Sequence, residues 1–367
     1  MIRSTFRHAP RLEALESREV LSSGGPSAQA QQVLEMLNHT RMNPAEMADR
    51  ITSNLDSDVL ATVKHYNVDL NQVRNTIASS APKQPLAWND RLAAAAQKQS
   101  QDQADNGFQS HTGSDGSDMN TRVDREGYGS RTSTGENAYA YAKSVDHAMK
   151  AFLIDWGVAS NGHRNNILQP DTPDSSSYRE VGIGIAATKV PNFGPNVVTQ
   201  DFGSRDGAKA NLLGVVYDDK NQNSSYDPGE GRGGVVIDVK NLADNTPSSV
   251  ETWDQGGYQI ELDPGSYQVS ARVGDKIVRS EKVDIGRQNV KVDYDLSKPW
   301  SGNTVANMAI QAPAPAPTPA PAPAPRVEAK VEVKTEKTVD KAAEKKIDST
   351  FASSWITSWT KWSIEGK

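Results

Sequence analysis

The sequence predicts an α+β protein in three parts: a module of helices and strands, a small all-β module, and a C-terminal region without a core. Three observations predict this order. Apolar residues first recur at helical spacing, and between residues 211 and 296 they alternate as in strands. A stretch of Ala-Pro pairs and a charged repeat then follow, and neither supplies a face that can be buried.

Composition excludes several classes of protein. Lys and Arg total 40 against 46 Asp and Glu, so the net charge is −6 and the basic excess typical of nucleic-acid binding is missing. No apolar run approaches the roughly 18 residues of a membrane-spanning helix. The chain contains no cysteine, which excludes disulfides, thiolate metal sites and cysteine nucleophiles.

Residues 1–28 are interpreted as an export-type segment. They lack the apolar core of about 7–15 residues that a secretory signal needs. The stretch from Leu12 to Ser22 resembles instead a short N-terminal motif of surface and secreted proteins in bacteria with elaborate envelopes. The alternative is a frayed, partly helical terminus.

The first module is predicted to run from residue 29 to residue 205. Apolar positions between Val33 and Met42 indicate an amphipathic helix, and Pro44 suits the first turn of another. Helices are also predicted over 86–104 and 144–156. Strands are predicted over 181–185 and 196–200, joined by a loop at 191–195.

The second module is predicted to be a small β-sandwich over residues 211–296. Tyr258, Ile260 and Leu262 alternate with polar residues, and a similar alternation begins at Tyr267. The turn between the two runs is Asp263-Pro264-Gly265. Short alternating strands at this spacing are typical of a sandwich.

The C-terminal region is predicted to be a disordered tail. Residues 297–350 form a spacer in which the Ala-Pro stretch is a stiff polyproline segment and the charged repeat is solvated. Residues 351–367 place four aromatic residues on one face of a potential helix. We expect this segment to attach the protein to the cell envelope or to a protein partner, and the alternative is a buried helix. The four residues are Phe351, Trp355, Trp359 and Trp362.

Candidate chemistry in the first module lies in three ordered motifs. They are Ser110-His111-Thr112-Gly113, then Gly135-Glu136-Asn137-Ala138, and a segment over 160–168 that contains His163. Two imidazoles that bracket a carboxylate can bind zinc or another divalent metal. The glutamate could be a further ligand, a partner of a ligand or a general base. Because most histidines are simply packed or solvated, the spacing leaves both interpretations open.

With these motifs, residues 29–205 resemble the CAP superfamily, the SCP-like extracellular domain, in its cysteine-free bacterial form. The resemblance implies a three-layer α–β–α sandwich with a cleft lined by two histidines and two acidic residues. The other motifs that support it are Asn38-His39-Thr40-Arg41, Asn43-Pro44 and the segments 86–92, 180–184 and 199–203.

The resemblance carries three of the four cleft residues onto this chain, namely His111, Glu136 and His163. It places the second acid three residues after Trp156, where this chain has Ala159, and bacterial members often lack this acid as well. We therefore expect binding to outweigh catalysis. Glu136 would be catalytic only if the protein is an enzyme.

Three neighbours of the cleft are expected to be structural. Asn137 should hold the Glu136 segment through side-chain hydrogen bonds to the backbone. Arg164 should pair with a carboxylate near the cleft. Trp156 is the third residue for which we expect a structural role.

The second module contains a candidate calcium loop over residues 219–230. Its oxygen donors match positions 1, 3, 5, 9 and 12 of the twelve-residue loop, and position 7 offers a backbone carbonyl. Ser224 stands at position 6, where the EF-hand has glycine, and the flanks are strands. The alternative is therefore an acidic turn without metal. The candidate ligands are Asp219, Asn221, Asn223, Ser225, Asp227 and Glu230.

With its flanking glycine and aromatic residues, the second module resembles the calcium-binding B-type repeats of bacterial surface adhesins. These repeats are prealbumin-like sandwiches that act as structural spacers.

Together, the observations predict an exported or cell-surface bacterial protein. It should bind a divalent metal, a lipid or another small ligand in a His/Glu cleft, beside a calcium-stabilised spacer, and should not bind nucleic acid. One alternative is a metal-dependent hydrolase, a peptidase or esterase, that uses Glu136. The other is an envelope-tethered interaction or scaffold protein.

Overall fold

A computed structural model of the chain describes residues 24–300. Most of the export-type segment, most of the spacer and all of the aromatic tail lie outside these residues. Within the described part, no helix combines the length and the apolar character needed to cross a membrane.

Four helices begin the described part of the chain: α1 (Ala28–Met42), α2 (Pro44–Thr52), α3 (Ser57–His65) and α4 (Leu70–Ala78). The hydroxyl of Ser27 caps α1 by accepting a hydrogen bond from the backbone N–H of Ala30 at 3.3 Å. Pro44 begins α2, as the sequence predicts, because its fixed φ suits a first turn.

A four-stranded sheet in the order β1–β3–β4–β2 forms the centre of the first module. Strand β1 runs parallel to β3, and the other pairs are antiparallel. The predicted strands over 181–185 and 196–200 are confirmed as the middle strands. The bounds are β1 (Ala87–Trp88), β2 (Arg131–Ala142), β3 (Glu180–Ala187) and β4 (Asn196–Arg205).

The helix predicted over 86–104 is wrong at its start. Residues Ala87–Trp88 pair with β3, and helix α5 (Asp90–Asn106) begins only afterwards. The side chain of Asn89 caps it by accepting hydrogen bonds from the N–H groups of Arg91 and Leu92 at 3.0 and 3.2 Å.

Helices cover both faces of the central sheet. Helix α5 packs against β3 and β4, whereas α1, α7 (Val145–Ile154) and α8 (Gly162–Leu168) contact the sheet from the other side. A Cβ atom on Gly182 would lie 1.9 Å from the backbone nitrogen of Ala93 in α5. Glycine therefore permits the close approach of α5 to β3. The remaining helical segments are α6 (Met119–Arg125) and a single 3₁₀ turn at Asp174–Ser176.

Arg41 of α1 is fully buried and fixes several segments of the first module. Its guanidinium donates to the carbonyls of Gln84 at 2.9 Å, Ile167 at 2.8 Å and Tyr178 at 3.2 Å. It also donates to the side-chain oxygen of Gln169 at 3.2 Å. Burial lowers the pKa of Arg41 to about 9.

The second module consists of two β-sheets around one core. One sheet has the order β10–β9–β6–β7, and the other places β5 beside β8, β11 and β12. Leu212, Ile237, Tyr258 and Val269 belong to the shared core. The strands are β5 (Ala210–Tyr217), β6 (Val236–Asn241), β7 (Pro247–Glu251), β8 (Gly257–Leu262), β9 (Gly265–Val273), β10 (Lys276–Ile285), β11 (Val290–Lys291) and β12 (Tyr294–Asp295).

Buried polar contacts join the two modules. The side-chain amide of Asn289 donates to the carbonyls of Pro85 and Arg179 at 2.9 and 2.8 Å. The side chain of Gln259 bonds both the backbone N–H and the carbonyl of Trp88 at 2.9 Å. Because such bonds satisfy buried backbone groups, the second module is fixed to the first.

Candidate functional site

His111 and Glu136 form the first His–carboxylate pair of the candidate site. His111 lies in the loop between α5 and α6, and its Nδ1 is 2.7 Å from Oε1 of Glu136 in β2. Arg122 of α6 donates to the other carboxylate oxygen, Oε2. The Glu136 side chain is only 3% exposed and that of His111 is 45% exposed. Both oxygens of Glu136 are therefore engaged, and the histidine is the exposed member of the pair.

Arg122 also fixes the loop that presents His111. Its guanidinium donates to the carbonyls of His111 and Ser117 at 3.1 and 2.8 Å. One buried cation thus balances the charge of Glu136 and sets the course of the loop.

Asp201 is a buried acid beside Glu136 and belongs to the 199–203 motif. The two residues are register partners across β2 and β4. Asp201 is fully buried, and neither of its carboxylate oxygens has a hydrogen-bond donor within reach. Burial and, next, the charge of Glu136 raise the pKa of Asp201 well above its ordinary value. A protonated Asp201 can donate a hydrogen bond to Glu136, which gives its carboxyl group a partner.

His163 and Asp155 form the second pair. Nδ1 of His163 in α8 is 2.7 Å from Oδ1 of Asp155, whose side chain is fully buried. Asp155 ends α7 in the left-handed conformation with a φ of 61°, and its Oδ2 accepts the backbone N–H of Arg164 at 3.1 Å. Asp155 does not occupy the expected position of the second acid, yet it gives His163 a carboxylate partner.

Asn137 connects β2 to α8 through its side-chain amide. Its amide donates to the carbonyl of His163 at 3.2 Å and to the side chain of Gln200 at 3.1 Å. Asn166 of α8 returns two bonds, to the Glu136 carbonyl at 3.1 Å and to the Asn137 side chain at 2.9 Å.

Arg164 and Trp156 are also buried. The Arg164 guanidinium donates to the carbonyls of Leu153 and Ile154 at 3.1 and 3.4 Å, so its direct bonds go to the end of α7 and not to a carboxylate side chain. The Trp156 ring packs against Tyr139 with centroids 6.2 Å apart.

Both pairs adjoin β2, which is an outer strand of the sheet. Successive side chains of a strand alternate, so Glu136 faces α5 and α6 while Asn137 faces α8. In residues 24–300, no three His, Cys, Asp or Glu side chains are grouped in the manner of a metal site. A single cleft shared by His111 and His163 therefore stays a prediction.

The loop over residues 219–230 folds around its first and last carboxylates. Asp219 accepts the N–H groups of Asn223 and Ser224 at 3.1 and 3.0 Å. Glu230 accepts those of Lys220 and Asp227, both at 2.9 Å. Both acids are buried, which is unusual for a turn that merely faces solvent.

The middle of this loop contacts the first module. Asp227 accepts a hydrogen bond from the side-chain amide of Gln32 in α1 at 3.0 Å. Ser225 accepts one from the guanidinium of Arg50 in α2 at 3.1 Å. Within the loop, the amides of Asn221 and Asn223 donate to Asp227 at 2.8 and 2.7 Å.

Comparison with known proteins gives a family for part of the first module. Residues 69–202 match the CAP family, described as the cysteine-rich secretory protein family. None of the curated proteins compared with the chain matches it. Among solved structures, an extracellular protein containing an SCP domain from Bacillus anthracis str. Ames is 24% identical, with a TM-score of 0.27. That match covers 42% of this chain and 45% of the other, so it spans less than half of either protein. Residues 69–202 of this chain therefore form a CAP domain.

Proposed function

We propose that the CAP domain is a binding module of an exported protein and that it takes up a divalent cation through His111 and His163. The observation that supports this proposal best is that each histidine directs Nδ1 at a buried carboxylate, 2.7 Å away in both cases. A carboxylate in this position fixes the ring orientation and makes Nε2 the nitrogen that can ligate a metal.

The donor chemistry fits zinc, and Glu136 and Asp155 would act as partners of its ligands. Zinc–nitrogen bonds are about 2.0–2.1 Å, so one shared ion needs the two Nε2 atoms within about 4 Å of each other. His111 is the more exposed of the two and lies in a loop, so it is the residue that would adjust. A bound ion would polarise a ligand oxygen as a Lewis acid.

The geometry favours binding over the alternative of a metal-dependent hydrolase. A general base must offer an oxygen to the water or substrate that it deprotonates. Both oxygens of Glu136 are already engaged, one by His111 and one by Arg122. A lipid or another small ligand is compatible with the same site. The scaffold alternative depends on the aromatic tail, which lies outside the described residues.

Export is supported by the family and by the N-terminal motif. The matched family is described as secretory, and the solved relative is an extracellular protein. Bacterial cell-surface placement is proposed from the export-type segment. Cell fractionation of the full chain and of a version that ends at Thr350 tests attachment, and equal release of both into the medium would contradict it.

Zinc titration of the metal-free protein tests the proposed site. We expect calorimetry to detect binding that is lost in both His111→Ala and His163→Ala. The matched control is His65→Ala, which removes an exposed histidine at the end of α3 and should bind like the parent. Unchanged binding in either cleft variant would contradict a shared site. Peptidase or esterase turnover that disappears in Glu136→Gln would instead support the hydrolase.

We also propose that residues 219–230 bind calcium and thereby stabilise the second module. The supporting observation is the burial of Asp219 and Glu230 at the two ends of a loop with the twelve-residue spacing. Carboxylates, side-chain oxygens and a backbone carbonyl are the donors that calcium prefers. Metal bound only by the folded state adds stability by mass action.

Thermal unfolding with calcium and with chelator tests the second proposal. We expect calcium to raise the melting temperature of the parent and to raise it much less in Glu230→Gln, which removes a charge and a bidentate ligand. Glu251→Gln, an exposed position in β7, is the matched control. Identical melting curves with and without millimolar calcium would remove the site.

A further inference from the structure

A cavity of about 370 Å³ lies between the first two helices of the first module and the second module, away from both His–carboxylate pairs. Helices α1 and α2 form one wall, and β5, β10 and residues 291–293 form much of the other. Its volume falls within the roughly 300–1,000 Å³ of small-molecule sites. It is therefore large enough for a small organic ligand.

The cavity wall carries more acidic than basic side chains. Three basic residues, His39, Arg50 and Lys291, line it together with four acids, and burial lowers the pKa of His39 below its ordinary value. Two of the acids surround Lys291, one lies at the exposed rim and one is buried at the wall. The excess of carboxylates gives the cavity a negative potential. The acids are Glu35, Glu46, Glu281 and Asp293.

Lys291 shows that this wall stabilises an ammonium group. Its side chain is only 7% exposed, and its Nζ pairs with Glu35 at 2.7 Å and with Asp293. Burial alone lowers the pKa of a lysine, yet the carboxylates of Asp293 and Glu35 raise the pKa of Lys291 above its ordinary value. Burial also raises the pKa of Glu281, the buried acid of the wall. A second cation near Glu281 would relieve the cost of ionising it.

An aromatic and apolar surface lies beside these carboxylates. The rings of Tyr217 and Tyr226 meet edge to face, with centroids 6.4 Å apart and an interplanar angle of 73°. Met36 and Val215 continue this surface, and the buried hydroxyl of Tyr226 has no hydrogen-bond partner. Aromatic faces attract organic cations, and the thioether and aliphatic groups accommodate their apolar parts.

We propose that this cavity binds a small organic cation, with its ammonium group toward Glu281 and Glu46 and its apolar part against Tyr217 and Tyr226. An anion would meet surplus negative charge, and a neutral ligand would leave the carboxylates uncompensated. The proposal requires neither zinc nor calcium, although Ser224, Ser225 and Tyr226 of the 219–230 loop also line the cavity.

Calorimetric titration of the full chain with choline and with butylammonium tests the proposal. The matched neutral probe is 3,3-dimethylbutan-1-ol, which has the shape of choline without its charge. We expect at least one cation to bind at millimolar concentration and the alcohol to bind about tenfold more weakly, a difference of about 1.4 kcal/mol. Equal binding of choline and the alcohol, or no binding of either cation, would overturn the proposal.

Two variants locate the ligand. Glu281→Gln and Glu46→Gln should each weaken cation binding about tenfold, whereas Glu251→Gln should not change it. Because the Glu46 side chain is 72% exposed, its substitution does not endanger folding. Cation binding that is unchanged in both cavity variants would place the ligand elsewhere and contradict the proposal.

Discussion

The replacement Asp201→Asn should stabilise the protein, increasingly so as the pH rises. Asp201 is fully buried opposite Glu136 with no donor for its oxygens, so the folded protein retains a proton that the unfolded chain releases. Asparagine has nearly the same shape, and its amide can donate to Glu136 as the protonated acid does. The variant therefore keeps the hydrogen bond and removes the titration.

The size of the effect follows from proton linkage. The pKa of Asp201 is raised in the folded protein, whereas in the unfolded chain it is about 3.9. Between these two values the folded state binds one more proton, so the free energy of unfolding falls by about 1.4 kcal/mol per pH unit as the pH rises. Asp201→Asn has no carboxyl group at this position, so its free energy of unfolding does not fall for this reason. Its advantage over the parent should grow by about 1.4 kcal/mol per pH unit from about pH 4 upward, and stop at the folded pKa.

Urea unfolding of both proteins between about pH 4.5 and about pH 8, with chelator present, measures this difference. The control is Asp171→Asn, which changes an exposed aspartate and should give a difference that does not depend on pH. Parallel stability curves of the parent and of Asp201→Asn over this range would show that the folded protein holds no extra proton at Asp201.

Three further predictions concern packing and backbone strain, each measured as the free energy of unfolding in urea. Gly182→Ala should lower the free energy of unfolding by about 3 kcal/mol, because the added Cβ would meet the backbone of α5. The control Gly129→Ala has open space around it and should change the free energy of unfolding little. Equal effects of the two replacements would contradict the close packing. Arg41→Met should lower the free energy of unfolding by about 3 kcal/mol by leaving buried carbonyls without donors, and a neutral outcome would argue against those bonds. Ser224→Gly should raise the free energy of unfolding by up to about 1 kcal/mol, because Ser224 has a φ of 59°. The control Ser225→Gly should lower the free energy of unfolding. A lower free energy of unfolding in Ser224→Gly would show that the conformation of Ser224 is unstrained.

The sequence predicts the middle of the fold well and its local boundaries less well. The strands around residues 181–185 and 196–200 follow from local pattern. The start of α5 does not, because the pairing of Ala87–Trp88 with β3 connects residues almost a hundred positions apart. The apolar run through Leu86 hides this strand, although Asn89 is a visible capping residue.

The candidate site could be predicted in part for the same reason. His111, Glu136 and His163 stand in motifs, so spacing and resemblance identify them. Asp155 meets His163 because α7 ends in a left-handed conformation, and Asp201 meets Glu136 because of strand register. Short-range pattern specifies neither of these contacts. The contacts of the calcium-type loop with α1 and α2 join residues more than 170 positions apart and were likewise beyond local pattern.

The nitrogen-15 spectrum of the histidine side chains, before and after zinc is added, tests the proposed zinc site at single nitrogen atoms. We predict that the Nε2 signals of His111 and of His163 shift to the range of metal-bound nitrogens, while neither Nδ1 signal does, because each Nδ1 keeps its contact with Glu136 or Asp155. Ligation through Nδ1, or unshifted Nε2 signals in protein saturated with zinc, would contradict this prediction.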